Sequence, residues 1–268
     1  MKKIILVIYA FFTSLFRSPT PSAINSPIPS ILPTPTPTPR PLTFSEMNAL
    51  YGPCVYAPTL MYHHVQSPEA AKEKNQTGLS VKTADFRAQM QYLKDKNYSV
   101  ISMQDLLNFF EQGIKPANKS VLLTFDDGYG DFYTDVYPIL REFNYPATVF
   151  IPTGLMNNVG YLYWDKIAEM AGGGILFANH TWSHKNVKTK EDVLKMEIST
   201  ADVQLNEKGL NTPKIFAYPY GLESKLAISF LEGLNYKIAF TTRHGGTLCK
   251  KQILNLPRIR IGNGNLDI

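Results

Sequence analysis

Cysteine is nearly absent from this chain: there are two, Cys54 and Cys249, in 268 residues. So few, with no ligand spacing around them, exclude a cysteine-built structural zinc site. In an oxidising compartment an even pair is expected to close a disulfide, here clasping the start of the folded part to its final segment; two buried thiols are the alternative. Clustered basic charge is lacking too. The formal net charge is +5 and the pI about 9.0, yet no Lys/Arg run concentrates the surplus. That excludes a nucleic-acid footprint and leaves a general attraction to acidic surfaces such as anionic envelope polymers. No internal repeat at a fixed period is present, which excludes a solenoid or propeller. Nor does any apolar run reach the roughly 20 residues of a full bilayer span.

What the N-terminus does have is an export pattern. Lys2 and Lys3 precede an apolar run over residues 4–16, the charged and hydrophobic regions of a signal sequence. No clean small-x-small cleavage site follows, so residues 1–17 are read as a signal peptide or a membrane anchor. Residues 18–41 are dominated by Pro, Thr and Ser and include Pro33-Thr-Pro-Thr-Pro-Thr-Pro39. Such a stretch favours extended polyproline II and buries almost nothing, so it is a spacer. Signal and spacer together imply an exported protein, extracellular or attached to the membrane through its N-terminal segment, with residues 42–268 as its folded domain.

From Thr59 onward short apolar runs alternate with amphipathic stretches. Strands are expected at residues 60–62, 99–101, 121–125, 147–151, 175–178, 215–217 and 238–241. Helical spacing runs through Phe86, Met90 and Leu93, and again through Phe132, Val136, Ile139, Leu140 and Phe143. A third, long helix carries Leu194, Ile198, Ala201 and Leu205, opened by Thr189 with Asp192 in capping-box positions. Alternation of this kind predicts an α/β fold, a parallel sheet with helices outside, closed into a barrel.

Two segments carry chemistry. Val121-Leu-Leu-Thr-Phe-Asp-Asp-Gly128 is an apolar strand ending in two adjacent carboxylates and a glycine. In parallel α/β folds the C-terminal strand ends form the active face, where one carboxylate can bind a metal and its neighbour act as base. The bland alternative is a strand-to-helix turn capped by Asp. Asn179-His-Thr-Trp-Ser-His184 follows another short strand and sets two histidines four apart, a metal-ligand spacing. The chain has only five histidines: these two, the pair His63-His64, and His244 in a Gly-rich loop that reads as solvent-exposed. Asp127, His180 and His184 form a two-His-one-carboxylate set that suits a catalytic divalent metal, expected to be zinc, although non-haem iron uses the same set. Asp126 is then free as general base and a nearby histidine as general acid, a kit for amide or ester hydrolysis.

These segments resemble the polysaccharide deacetylase family, carbohydrate esterase family 4. Thr124-Phe-Asp-Asp-Gly128 and His180-Thr-Trp-Ser-His184 are similar to its first two motifs, and Phe216-Ala-Tyr-Pro-Tyr-Gly221 resembles the third. The resemblance implies a distorted (β/α)7-type barrel and an N-acetylated polysaccharide as substrate. It implies Asp126 as base, Asp127, His180 and His184 as metal ligands, and the Tyr220 backbone N–H as a donor to the oxyanion. Tyr220, Trp182 and Tyr129 are expected to stack on sugar rings or to pack the rim. There are two departures. Ala217 stands where the third motif usually carries an Arg that orients the base; Arg258 or Arg260, in Leu256-Pro-Arg-Ile-Arg-Ile261, is the expected substitute. No C-terminal Leu-x-His motif supplies the acid. Instead Leu60-Met-Tyr-His-His-Val65 resembles the rearranged branch that includes the biofilm poly-N-acetylglucosamine deacetylases, pointing to His63 as the acid with His64 the runner-up. Strand alternation allows only one of the two to face the cavity. The rival readings are a catalytically silent glycan-binding module and a metal amidase acting on a non-glycan amide.

Overall fold

Ala147–Ile151 is buried at every position, so it has no face to give to water and must be covered on both sides. Several such runs recur along the chain, and a parallel sheet closed on itself under a coat of helices is the arrangement that covers them all. A computed structural model shows this arrangement, and it describes residues 40–266 and 268. The expected signal (1–17) and the spacer as far as residue 39 lie outside the described residues. Leu42–Ile268 form one folded unit. Among the described residues no helix is long and apolar enough to cross a membrane.

The unit opens with helix α1 (Phe44–Tyr51) and strands β1 (Cys54–Tyr56), β2 (Thr59–Tyr62) and β3 (His64–Gln66). Helix α2 (Pro68–Glu73), β4 (Ser80–Lys82), α3 (Thr83–Asp95), β5 (Ser99–Val100) and α4 (Met103–Gln112) follow. The central part runs β6 (Ser120–Phe125), α5 (Tyr137–Phe143), β7 (Ala147–Ile151), α6 (Trp164–Ala171), β8 (Ile175–Asn179) and α7 (Glu191–Glu207). Then come β9 (Ile215–Ala217), α8 (Lys225–Gly233), β10 (Ile238–His244), β11 (Thr247–Cys249) and β12 (Leu256–Arg260).

Seven parallel strands close the barrel in the order β2, β6, β7, β8, β9, β10, β12 and back to β2. Side chains of period two divide it into an inside and an outside. Leu122, Phe150, Ala217, Phe240 and Leu256 belong to one buried cluster. Their strand neighbours Leu123, Phe125, Val149 and Ile151 pack with Phe86, Met90, Ile139 and Ile167 of the surrounding helices.

Three details differ from the sequence expectation. The run at 99–101 is not a stave of the ring: β5 pairs only with Ser120 and Val121, below the point where β2 joins β6 at Leu122. The seventh stave is β12, which the strand pattern hides because a proline and two arginines fill three of its five places. The long helix α7 starts at Glu191 with Lys190 as its cap residue and no side-chain cap bond, so the Thr189–Asp192 capping box does not form. Thr189 lies one residue too early; Glu191 and Asp192 instead place negative charge on the first turn, where the helix dipole favours it.

Strands β1 and β11 pair antiparallel with Cys54 opposite Cys249, and the two sulfurs are bonded across a sequence separation of 195 residues. The bond ties the entrance of the domain to its last third, a contact the unfolded chain would otherwise close at high entropic cost. Cys54→Ser/Cys249→Ser is expected to lose about 2–4 kcal/mol of stability. For a domain of this size that is roughly 5–15 °C in Tm, checked by thermal denaturation of the variant beside the wild type with and without reductant.

Candidate active site

On β6, Leu122 and Thr124 face inward, and Asp126 continues that face just past the strand end. On β12 the inward face reads Leu256, Arg258, Arg260. The two faces meet inside the barrel. The Arg258 guanidinium donates to both carboxylate oxygens of Asp126, at 2.6 and 2.7 Å. Its Nε donates to the Thr241 carbonyl at 3.0 Å, and the Thr124 hydroxyl lies 3.3 Å from Nη1. Arg258 is wholly buried, with its guanidinium centre 5.5 Å from the Phe150 ring centroid. Burial by itself would raise the Asp126 pKa. The charge and hydrogen bonds of Arg258, helped by His180 and His63, more than offset it and hold the carboxyl below its usual range. The result is a buried, ionised, rigidly oriented carboxylate. Arg260, two residues on, reaches the cavity mouth and donates to the Gly78 carbonyl instead.

Asp127 turns away from the strand with φ 74°, and Gly128 follows at φ 67°, where a Cβ would come within 2.8 Å of Ile151. That turn aims the Asp127 carboxylate at two imidazoles. His180 Nε2 lies 3.3 Å and His184 Nε2 3.0 Å from Asp127 Oδ1, and the three ligand atoms lie within 4.8 Å of one another. His180 Nδ1 sits 2.7 Å from the Ala217 carbonyl, an acceptor only, so the ring proton belongs there and Nε2 presents a lone pair. Asp127 Oδ1 is buried and has no hydrogen-bond donor. Two imidazoles and a carboxylate converging in this way could hold a metal ion.

The site opens into a cavity of about 620 Å³ lined by His63, Asp126, Asp127, Tyr129, His180, His184 and Tyr220, with Met61, Leu79, Thr242 and Arg260 around them. His63 is thus the member of its pair that faces the cavity. Burial lowers its pKa, Asp126 and Asp127 oppose that, and the net direction is down. His64 is buried on the other side, 2.6 Å from Asp131 and stacked on Tyr129 at 3.6 Å between ring centroids. Burial, followed by the charge of Asp127, raises the Tyr129 pKa, so it remains a neutral phenol. Tyr220 (φ 60°) stands edge-on to His184 at 4.8 Å and is 63% exposed.

Residues 113–239 match the family described as polysaccharide deacetylase. The solved Streptococcus pyogenes deacetylase PplD in complex with acetate is 34% identical to this chain, with a TM-score of 0.70, over 77% of this chain and 92% of that one. The chain belongs to the polysaccharide deacetylase family. It is therefore a hydrolase acting on carbon–nitrogen bonds, and its barrel is the (β/α)7-type barrel of that family. The poly-beta-1,6-N-acetyl-D-glucosamine N-deacetylase of Staphylococcus aureus (strain MRSA252) is 28% identical over 84% of this chain and 82% of its own length. That of Escherichia coli (strain K12) is 27% identical over 76% of this chain, a match that spans 36% of the longer protein.

The family match leaves out both His63 and Arg258, which β2 and β12 bring back by closing the barrel at either end of the matched segment. This deacetylase has Ala217 in place of the third-motif Arg, and Arg258 supplies the guanidinium from a neighbouring part of the ring. Trp182 is not among the cavity's lining residues. Its indole lies on Gly154, where a Cβ would sit 2.5 Å from Nε1, and its carbonyl accepts the Gly154 N–H at 2.7 Å. Leu79 and Thr242, which do line the cavity, sit in segments with no motif, and only the closure of the fold gathers them there.

Proposed function

We propose that this polysaccharide deacetylase is a metal-dependent enzyme that removes N-acetyl groups from N-acetylglucosamine units of an exported polysaccharide. The observation that carries the reading is Asp126, locked in the two-toothed grip of Arg258 beside Asp127, His180 and His184. It is an oriented base next to a cation site in one cavity. Asp127, His180 and His184 would hold the cation, which supplies Lewis-acid polarisation of the acetamide carbonyl and makes water more acidic. Asp126 keeps lone pairs beyond those Arg258 uses, and from there it takes the proton of the attacking water. The Tyr220 backbone N–H is the donor we assign to the developing oxyanion. His63, on the same cavity, delivers a proton to the departing amine. Tyr129 and Tyr220 offer faces to the sugar. Acetate and a free amino sugar are the products.

The absence of the usual third-motif Arg is the best support for a silent binding module, and Arg258 removes that support. The substrate class follows the relatives named for poly-β-1,6-N-acetylglucosamine, with peptidoglycan and chitin-like oligomers as the other arms. The export pattern of the N-terminus and the single disulfide support action outside the cytoplasm. The test is acetate release by the protein from oligomers of each glycan, with zinc, after chelation, and after zinc is restored. Acetate that disappears on chelation and returns with zinc is the expected result. No acetate from any glycan, by a protein that binds one metal per chain, would overturn it.

A further inference from the structure

Four non-glycine residues at the site hold a left-handed backbone: Asp127 (φ 74°), Thr181 (φ 67°), His184 (φ 60°) and Tyr220 (φ 60°). Such conformations cost on the order of 1–3 kcal/mol each and persist only where the surroundings impose them. Two of the four fall in residues 180–184, the segment that carries both histidines and lies between β8 and α7 with no strand or helix of its own. Its first half is well tied. Asn179 donates to the Ile198 carbonyl at 3.2 Å and to Tyr236 at 2.6 Å, and its Oδ1 accepts the Thr181 N–H at 2.7 Å. The half next to His184 is held by the Gly154 N–H, which donates to the Trp182 carbonyl at 2.7 Å, and by one side chain, Glu197 of α7. The Ser183 N–H donates to Glu197 Oε2 at 2.8 Å, and the Ser183 hydroxyl to Oε1 at 2.5 Å.

Glu197 is 2% exposed, and both its oxygens accept hydrogen bonds, the pattern of an ionised carboxylate. Among the described residues it has no ion-pair partner. A buried charge without a counter-charge is costly. The charges around it suggest where the balance lies. Asp126 and Arg258 cancel each other, whereas a divalent cation on Asp127 and two neutral imidazoles leaves one positive charge over.

We propose that Glu197 is the positioning residue of this metal site: it fixes Ser183, and through it His184, in ligating geometry, and its buried charge offsets the surplus positive charge of the occupied site. This rests on the reading of Asp127, His180 and His184 as metal ligands. Gln at 197 can keep both contacts, its carbonyl accepting from the Ser183 N–H and its amide donating to the hydroxyl oxygen, while it removes the charge. Ala removes contacts and charge together.

The experiment is a competition titration of zinc against a chromogenic chelator for the wild type, Glu197→Gln, Glu197→Ala and His184→Ala. The Tm of each metal-free protein is measured in parallel. Glu197→Gln is expected to weaken zinc binding by about 10-fold and Glu197→Ala by up to about 100-fold, the range for residues that orient a metal ligand from behind. The metal-free Glu197→Gln protein is expected to melt no lower than the wild type, since it has lost an unbalanced buried charge. Wild-type affinity in Glu197→Gln would overturn the proposal even if Glu197→Ala does not fold. Equal zinc binding by the wild type and His184→Ala would instead overturn the metal-site reading beneath it.

Discussion

Asp126→Asn is expected to cut acetate release by about 10²–10⁴-fold, the contribution of a positioned general base, while the variant still binds zinc. The amide has nearly the shape of the carboxylate but cannot take a proton from water at neutral pH. It also disturbs its partner. Arg258 presents donors to both oxygens of Asp126, so an amide nitrogen in either place sets donor against donor. The guanidinium, wholly buried, then keeps its charge with one of its two carboxylate acceptors gone. Some stability is lost along with the activity, and the two must be measured separately: acetate release at a temperature well below the Tm of the variant, and zinc binding to show that Asp127, His180 and His184 are intact. A rate within about 5-fold of the wild type would remove Asp126 from the role of base, since base catalysis contributes far more than that.

Much of the barrel is legible in the sequence because its strands are short, apolar and buried on both faces. β7 and β9 fall at residues 147–151 and 215–217, as their apolar runs predict. β12 is not legible that way. A proline and two arginines fill three of the five places in Leu256-Pro-Arg-Ile-Arg, and the segment can bury Arg258 because a carboxylate meets it across the barrel. The helix cap at Thr189 fails for a smaller reason, a shift of one residue at a helix start, which local pattern does not resolve.

The site divides along the same line. Residues that sit together in sequence, Asp126 with Asp127 and His180 with His184, are candidates that spacing alone suggests, and the fold brings Asp127, His180 and His184 together. The choice between His63 and His64 can be framed by strand alternation, and the fold shows which of them faces the cavity: His63 lines it, and His64 turns to Asp131. Glu197 has no such signal. It sits on α7 in step with Leu194 and Ala201, where an apolar residue is expected, and a buried acid in a core stripe means something only when its partner, fourteen residues back in the loop, is known.

Arg258→Met is expected to cost about 3–5 kcal/mol of stability, the range for breaking a buried ion pair from one side, and to lose activity to the same degree as Asp126→Asn. Methionine is long enough to follow the arginine stem toward Phe150 and Phe240, whose ring centroids lie 5.5 and 6.0 Å from the guanidinium carbon, so the loss is not mainly one of packing. What remains is Asp126, 3% exposed, without the charge that offsets its burial. The double variant Asp126→Asn/Arg258→Met separates pair from packing. With neither charge present, its destabilisation is expected to fall short of the sum of the two single losses by a kilocalorie or more, the coupling typical of residues in direct contact, while activity stays at the level of either single variant. Urea denaturation of the four proteins closes the cycle. Strict additivity would mean that the two groups act independently in the barrel, and Asp126 would then need another residue to orient it. Coupling in stability with no recovery of acetate release is the outcome that fits a base held in place from a strand outside the family's third motif.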